Sequence, residues 1–357
     1  MKTVLIDFSS LDAFCGFGEI ARQYLRCLAK SDVDDMRFVL MVPEKHKGEY
    51  GDRFLYISAE HAAKELRALP CHIDLWHATD QQFKYRRRSK GTTQLLTVHD
   101  LNYFTEKKGI HLLKYCIRVP WRIRRSDYIT VISHYVAQDV AAHYDVSQKH
   151  MEVIYNGIAD VDSSDRAGRR PAFVKDDDER FLFTIGQIRE KKNFHTLVRM
   201  MAHLPEYKLY IAGDDHFKYA GQLRQLIKEQ GEGRVSLVGK ITDAEKNWLY
   251  GHCAAFVFPS RLEGFGIPVL EAMRFKAKVF SSRFSSLPEV CDRYATYWDS
   301  YEPQAMARVV SEGIAAWDKN GAFAEEARRY SLGFNYERYT REYIALYRRI
   351  LEEMDSK

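Results

Sequence analysis

What this sequence lacks excludes several classes of protein. It has six cysteines in 357 residues, and no two of them have the spacing of a zinc site or of a redox pair. No stretch approaches the roughly 20 apolar residues that cross a bilayer, and the apolar run near the N-terminus is too short for a signal peptide. We therefore expect a cytoplasmic protein with free thiols, attached at most to the face of a membrane.

An excess of charge of one sign is also lacking. Lys and Arg total 54 and Asp and Glu total 49, and the net charge of +5 is too small to predict binding to nucleic acid. No Asp-x-Asp pair appears at a plausible loop apart from Asp176–Asp178, which lies in a segment with the composition of a linker, so we expect no metal ion and no cofactor. The hydrophobic content of 46% is that of a folded chain, and the length predicts two domains.

Short apolar runs rich in branched residues alternate with helical patterns along the chain. This alternation predicts α/β domains with doubly wound parallel sheets, in which ligands bind beyond the carboxyl ends of the strands. The predicted strands are Val4–Phe8, Phe38–Val42, Leu55–Ile57, Leu75–His77, Leu95–Val98, Tyr128–Ile132, Met151–Tyr155, Phe181–Ile185, Leu209–Ala212, Val235–Val238 and Ala255–Phe258.

A charged, serine-bearing segment divides the chain. Residues 161–178 follow a strong Asn-Gly turn signal and have the composition of a linker. We therefore predict an N-terminal Rossmann-like domain over 1–160 and a second Rossmann-like domain over 179–334. A final helix over 335–357 carries an apolar stripe, which must be buried against another part of the protein.

The most informative stretch is Pro259–Met273, which reads PSRLEGFGIPVLEAM. It predicts a strand end, a glycine-bearing turn and a helix with Pro268 in its first turn, where proline is favoured. The unpaired N–H groups of a helix start suit a phosphate. Glu271, one turn inside, can accept hydrogen bonds from sugar hydroxyls, and Glu263 lies on the turn before the helix. The alternative is a surface turn with a helix-stabilising glutamate.

A second candidate for phosphate binding follows the strand that ends at Ile185. Gly186 ends the strand, and Arg189, Lys191 and Lys192 precede the next helix. Cations at such a loop can clamp a diphosphate, lysine as a point charge and arginine as a fork. The alternative is a solvated loop.

Polar and glycine residues also follow strands of the first domain. Gly16 and Gly18 lie between the first strand and a helix, in an arrangement that either cradles a phosphate or forms a plain tight turn. One further strand ends at His77, and another ends at Val98 and is followed by a loop with His99, Asp100 and Asn102. Each histidine is either a structural hydrogen-bond donor or a ligand-binding residue.

Two basic stretches, 84–90 and 111–125, contain most of the clustered cations of the first domain. A basic amphipathic stretch can lie on an anionic membrane. It can equally be a helix packed on the sheet with a solvated basic edge, and a basic run is usually a solvated loop. Pro120 is expected to end or kink a helix over 111–125.

The string Glu-Gly-Phe-Gly-Ile-Pro-x-Leu-Glu-Ala at 263–272 resembles the signature of the retaining glycosyltransferases of family 4, which have the two-domain GT-B fold. The resemblance implies that Glu271 holds the ribose of a nucleotide-sugar donor, that Glu263 and His99 lie at the transferred sugar, and that Lys192 binds the diphosphate. It also implies that the final helix crosses back to the first domain. Lys191 stands where the family often has arginine, so the second cation at the phosphates is either Lys191 or Arg189.

The resemblance also assigns residues to each substrate, with Glu263, His99 and Lys192 as the catalytic set. Gly239 and Lys240 would lie beside the nucleobase. The residues expected at the donor are Gly16, Gly18, Gly186, Arg189, Lys191, Lys192, Gly239, Lys240, Gly264, Phe265, Gly266, Ile267 and Glu271, and those expected near the acceptor are His77, Asp100 and Asn102.

The function implied is the transfer of a hexose from a GDP- or UDP-linked donor to a glycan or lipid-linked acceptor, with retention and without a metal ion. The Lys-Asn pair at 192–193 resembles mannosyl-transferring relatives, and the product would be a surface polysaccharide or lipopolysaccharide. Two alternatives share the fold: a nucleotide-sugar epimerase, which forms an isomer from the donor alone, and a non-catalytic sugar-nucleotide binding module.

Overall fold

The computed structural model describes residues 1–13, 16–83, 90–160, 168–176 and 179–356. The chain forms two compact units. The first unit contains residues 1–159 and 334–357, and the second unit contains residues 160–333. The chain therefore leaves the first unit once and returns to it for its last helix.

The first unit is built on a seven-stranded parallel sheet. The strand order is β3-β2-β1-β4-β5-β6-β7, so the direction of winding reverses between β1 and β4. The strands are β1 Lys2–Asp7, β2 Met36–Val42, β3 Leu55–Ser58, β4 Leu75–Ala78, β5 Thr93–Val98, β6 Tyr128–Val131 and β7 His150–Val153.

The first five α-helices belong to this unit. In α1 the residues Ile20, Tyr24, Leu25 and Leu28 form the buried face. Pro120 lies inside α4, so the helix continues through the proline that was expected to end or kink it. The helices are α1 Gly16–Lys30, α2 Ala62–Ala68, α3 Tyr103–Glu106, α4 Gly109–Arg125 and α5 His134–His143, with a 3₁₀ turn at Glu44–His46.

The second unit is built on a six-stranded parallel sheet of order β10-β9-β8-β11-β12-β13, in which winding reverses between β8 and β11. The strands are β8 Phe181–Ile185, β9 Lys208–Ala212, β10 Val235–Gly239, β11 Ala255–Phe258, β12 Val279–Ser281 and β13 Thr296–Tyr297. The helices are α6 Phe194–Met200, α7 Lys218–Gln230, α8 Asp243–His252, α9 Ile267–Arg274, α10 Leu287–Cys291, α11 Pro303–Ala315 and α12 Ala322–Leu332, with 3₁₀ turns at Glu190–Lys192, Met201–His203 and Asp292–Tyr294. The expected architecture of two doubly wound parallel sheets is confirmed.

The last helix, α13 (Tyr336–Asp355), buries the predicted apolar stripe in the first unit. The Tyr347 hydroxyl lies 2.6 Å from the Tyr24 hydroxyl of α1 and 2.6 Å from His77 Nδ1 of β4. An isolated bridge pairs Ile158 with Asn335, so the chain re-enters the unit beside the point where it left. The predicted return of the final helix to the N-terminal domain is confirmed.

Part of the predicted linker packs on the second unit. The Arg169 N–H donates to the Ala244 carbonyl oxygen of α8 at 2.9 Å, and Val174 is buried. Residues 161–167 and 177–178 lie outside the described residues, as do Cys15 and 84–89 of the first basic stretch. None of the helices in the described ranges combines the length and the apolarity needed to cross a bilayer.

Candidate functional site

The centre of the site is an ion pair at the point where winding reverses in the second unit. Lys192 follows β8 and Glu263 follows β11, and these two strands are neighbours with connections that leave in opposite directions. The Lys192 Nζ lies 2.5 Å from Glu263 Oε1, and the two side chains are only 10% and 13% exposed. Two loops that are distant in sequence therefore bring opposite charges together at the carboxyl edge of one sheet.

Two glycines shape the cradle of Lys192. A Cβ on Gly186 would lie 3.2 Å from Lys192 Cε, and a Cβ on Gly213 would lie 1.9 Å from the Gly186 carbonyl oxygen. Gly213 also has φ of 135°, a conformation that side chains rarely adopt. The Lys192 ammonium lies 5.0 Å from the centre of the Phe258 ring. The absence of side chains at the ends of β8 and β9 lets the lysine stem lie against the backbone.

The loop that carries Glu263 is clamped from both sides. The Arg261 N–H donates to the Lys191 carbonyl oxygen at 2.8 Å. The Glu263 N–H donates to Ser285 Oγ at 2.9 Å, and the Ser286 hydroxyl lies 3.1 Å from the Glu263 carbonyl and 2.9 Å from the Phe265 carbonyl. These contacts fix the position of Glu263 before any ligand binds.

Gly266 directly precedes α9 and has a backbone conformation that requires glycine. Its φ is 109°, and a Cβ would lie 2.7 Å from Leu287 Cδ2. Pro268 occupies the first turn, as predicted. Of the predicted donor residues in this stretch, Gly264 and Phe265 are buried, whereas Ile267 is partly exposed. Of these three residues, Ile267 is therefore the one whose side chain a ligand can reach.

Glu271 is held by two side chains from α8. Its Oε1 lies 3.1 Å from Lys246 Nζ, and its Oε2 accepts a hydrogen bond from the Tyr250 hydroxyl at 2.9 Å. The charge of Glu271 raises the pKa of Lys246, and burial raises the pKa of Tyr250. Lys246 and Tyr250 are one helical turn apart and reach the same carboxylate. Neither was predicted as a site residue.

The remaining predicted cations of the second unit lie along the same edge. The Arg189 guanidinium stacks 4.0 Å from the centre of the Phe217 ring. Lys240 Nζ lies 3.6 Å from Asp214 Oδ1, which also contacts His216 Nδ1 at 2.7 Å. Lys191 contributes its main-chain carbonyl to the clamp on Arg261. Which of Arg189 and Lys191 accompanies Lys192 at a diphosphate stays a prediction.

In the first unit, His99 lies beside the first turn of α1, which contains both predicted glycines. Its Nε2 donates to the Thr79 carbonyl oxygen at 2.8 Å, and its ring contacts the Phe17 ring edge to face at 4.7 Å. Gly18 has no room for a side chain, because a Cβ would lie 2.1 Å from the Ala13 carbonyl oxygen. Gly16, by contrast, is exposed with open space around it.

The polar loop after β5 is internally bonded. The Asn102 N–H donates to Asp100 Oδ1 at 3.0 Å, and Asn102 itself is buried. Gln81 links this loop to the loop after β4, since it donates to the Asp100 carbonyl at 3.0 Å and accepts from the His99 N–H at 3.1 Å. Burial raises the pKa of the neighbouring Asp80 carboxyl, although the charges of His99 and Arg122 oppose the shift.

His77 has no place in an acceptor site, which corrects its prediction as an acceptor-binding residue. The side chain is fully buried. Its Nδ1 bonds the Tyr347 hydroxyl at 2.6 Å, its Nε2 bonds Thr97 Oγ1 at 2.8 Å, and its ring stacks on Tyr343. Burial lowers its pKa to about 3, so the ring is neutral. His77 is a structural residue of the core of the first unit.

Two family models match the chain. The model described as Glycosyltransferase Family 4 matches residues 24–161, and the model described as Glycosyl transferases group 1 matches residues 165–330. Each model covers most of one unit. The second match contains Lys192, Glu263 and Glu271.

The comparisons with curated proteins find mannosyltransferases. The serotype-specific mannosyltransferase WbdA of Escherichia coli is 28% identical over 219 residues, which are 58% of this chain and 26% of WbdA. The O-antigen chain mannosyltransferase RfbU of Salmonella typhimurium is 25% identical over 207 residues, which are 57% of this chain and 56% of RfbU. The chain therefore matches about a quarter of the first relative and just over half of the second.

Among solved structures, HepE from Anabaena in complex with UDP-glucose is similar over the whole chain. The TM-score is 0.71, the identity is 18%, and the alignment covers 100% of both chains. At this identity the similarity establishes the fold of the two parallel-sheet units.

Proposed function

The chain belongs to glycosyltransferase family 4 and has the GT-B fold, and on that basis we propose that it transfers a hexose from a nucleotide diphosphate sugar to an acceptor hydroxyl. The observation that supports the proposal is the Lys192–Glu263 pair on the sheet edge that also carries Glu271. That edge offers a cation for a diphosphate and two carboxylates for sugar hydroxyls.

In the proposed reaction, Lys192 binds the diphosphate of the donor. Departure of the nucleoside diphosphate builds negative charge on its phosphate oxygens, and a fixed cation stabilises that charge without reorganisation. Lys192 is 2.5 Å from Glu263, so the pair has little net charge of its own. The first-turn N–H groups of α9 and a second cation, Arg189 or Lys191, add the positive potential that a diphosphate requires.

Glu263 and Glu271 have different proposed roles. Glu263 is held by its main chain, so its carboxylate can keep its place while it accepts hydrogen bonds from hydroxyls of the transferred hexose. It would also stabilise positive charge that develops at the anomeric carbon as the leaving group departs. Glu271, fixed by Lys246 and Tyr250, would accept hydrogen bonds from the ribose. His99 of the first unit is proposed to contact the transferred hexose.

The finer assignments rest on the relatives. WbdA and RfbU are named as mannosyltransferases, which favours mannose as the hexose, and RfbU acts on the O-antigen chain, which favours a glycan or lipid-linked acceptor of a surface polysaccharide. The donor base in this proposal is guanine or uracil, and the solution of HepE with UDP-glucose favours uracil. We further propose retention of configuration, no requirement for a metal ion or cofactor, and a cytoplasmic location with peripheral contact to a membrane.

A thermal unfolding screen tests the proposal. GDP-mannose, UDP-glucose, GDP and UDP are each added to the full chain with EDTA present, and one base is expected to stabilise the protein by about 2.7 kcal/mol at 100 times its Kd. The Lys192→Met variant should lose this stabilisation. Lys278→Met is the matched control, because Lys278 also lies against aromatic rings, those of Phe280 and Trp317, but directly before β12.

Product analysis separates the alternatives. The stabilising donor incubated alone should not yield a sugar isomer, since that product would identify an epimerase. With an acceptor glycan, proton NMR should show the anomeric configuration of the donor in the product. If none of the four nucleotides stabilises the wild-type chain, the proposed function is wrong.

A further inference from the structure

The most exposed apolar surface of the first unit lies on one face of α4. Ile110, Leu113, Ile117 and Trp121 are 66%, 58%, 63% and 39% exposed. Their spacing of three and four residues places them within an arc of about 80° on the helix. Only three other large apolar side chains in the described residues are comparably exposed, and they lie far apart in the sequence: Met1, Phe284 and Phe323. Such a stripe indicates a binding surface rather than scattered exposure.

The surroundings of the stripe are cationic. The segment 107–126 contains no Asp or Glu, although the chain has 49 of them, and it contains seven Lys and Arg residues. Six of the seven remain at least partly exposed, and Lys114 and Arg118 flank the stripe directly in the sequence. The Arg125 guanidinium lies 5.0 Å from the centre of the Trp121 ring. An apolar stripe beside basic side chains and an indole matches the interface of an anionic lipid bilayer.

The buried side of α4 contacts the loop that positions His99. Arg122 is buried and donates to the carbonyl oxygens of Gln81, at 2.6 Å, and of Phe83. The Tyr115 hydroxyl donates to Gln82 Oε1 at 2.8 Å. Gln81 in turn accepts from the His99 N–H. One side of the helix is therefore exposed and cationic, and the other side supports the carboxyl edge of the first sheet.

From these contacts we propose that α4 docks the protein on an anionic membrane surface and that Arg122 connects the docked helix to the His99 loop. This deepens the proposed function, because it names the surface at which a lipid-linked acceptor reaches the site. The apolar stripe enters the boundary between head groups and acyl chains, and the basic side chains bind the anionic head groups. Docking reduces the motion of α4. The hydrogen bonds from Arg122 to the carbonyl oxygens of Gln81 and Phe83 then reduce the motion of residues 81–83 and of His99, which bonds Gln81.

Vesicle flotation of the full chain tests the docking. The chain should float with vesicles of equal parts phosphatidylglycerol and phosphatidylcholine, and bind phosphatidylcholine vesicles at least tenfold more weakly. The Leu113→Glu/Ile117→Glu variant should lose at least tenfold in binding to the anionic vesicles. Phe323→Glu changes an apolar residue of the second unit that is 42% exposed, and as the control it should bind like the wild type.

Three outcomes would overturn the docking: no flotation of the wild type, equal binding to both vesicles, or unchanged binding of the double variant. If the wild type forms a dimer and does not bind vesicles, and the double variant is a monomer, the exposed face of α4 is a self-association surface instead. Binding to vesicles requires neither the sugar donor nor the acceptor. A negative result in this test therefore contradicts the docking and leaves the proposed transferase function untouched. Hydrogen exchange at 81–83 should slow at least twofold on anionic vesicles, and unchanged exchange would refute the connection through Arg122.

Discussion

At the scale of single residues, the Tyr250 hydroxyl fixes one of the two carboxylates of the site. Because the ring is fully buried among Phe183, Phe256 and Phe275, Tyr250→Phe should remove only the hydrogen bond to Glu271. A hydrogen bond to a charged group contributes about 1.5–3 kcal/mol. We expect the Kd of the nucleotide that binds, GDP or UDP, to rise about tenfold, with kcat changed less than threefold.

The nucleotide itself provides the discriminating measurement for Tyr250. A 2′,3′-dideoxy analogue of the nucleotide has no ribose hydroxyls that could donate hydrogen bonds to Glu271. Calorimetric titration should therefore show that the wild type and Tyr250→Phe bind this analogue with equal affinity. Tyr210→Phe is the matched control, because Tyr210 is also buried in the second unit and also donates to a glutamate, Glu179. A tenfold loss with the dideoxy analogue as well would contradict the positioning role.

Single residues also show where sequence reasoning succeeds. Glu263 and Glu271 belong to one local string whose glycine and proline signals define their backbone, so their relation to α9 was predictable. Tyr250 and Lys246 were missed because they lie 21 and 25 residues before Glu271, on another helix, α8, which is not part of the local string. His77 was misassigned because the local sequence around a histidine at a strand end does not show whether a helix distant in sequence, here α13, covers the side chain.

At the scale of elements, β4 and α13 are joined by a buried polar network around His77. Its ring bonds Tyr347 and Thr97, and burial lowers its pKa to about 3 from an ordinary value of 6.5. Between these values the unfolded chain binds a proton that the folded chain does not. The free energy of unfolding should therefore fall by up to about 1.4 kcal/mol per pH unit as the pH decreases from 6.5 towards 3.

Urea unfolding between pH 7 and pH 4.5 measures this contribution of His77. The His77→Gln variant keeps hydrogen-bonding capacity but cannot titrate, so its stability should depend less steeply on pH than that of the wild type. Tyr347→Phe removes the hydroxyl bonded to Nδ1 but keeps the histidine. It should lower stability at every pH and retain the wild-type slope. Identical slopes for His77→Gln and the wild type would show that the ring does not control acid stability.

Elements differ in how far their sequence defines them. Eleven strands of the two sheets were predictable, because most of them are short apolar runs buried on both faces of the sheet. In β7 and β10 most residues are only partly buried or exposed. The strands β12 and β13 were missed, since they have only three and two residues and no such run. Helix α4 runs through Pro120, so of the two outcomes expected for this proline, the end of the helix does not occur there.

At the scale of the whole molecule, the proposed donor contacts are concentrated in one of the two units. Lys192, Glu263, Glu271 and the groups that hold them all lie within 160–333, so the proposed diphosphate and ribose contacts belong to one unit. The first unit, in contrast, is assembled from two segments. Its core includes Tyr339, Tyr343 and Tyr347 of α13, each fully or almost fully buried, so residues 1–159 alone lack part of their own core.

This division predicts the behaviour of three fragments. Residues 160–333 should fold alone and bind the nucleotide that the full chain binds, with a Kd within about tenfold of that of the full chain.

Residues 1–159 should not fold, because removing three large aromatic side chains costs about 3–5 kcal/mol each, which together exceeds the stability of a typical domain. Joining 159 to 334 through a short glycine-serine linker should restore folding, because the Ile158 N–H donates to the Phe334 carbonyl at 2.9 Å and the two ends already meet. Circular dichroism and the dispersion of amide NMR signals distinguish these states, and a cooperatively folded 1–159 fragment would show that α13 is dispensable to the core of the first unit.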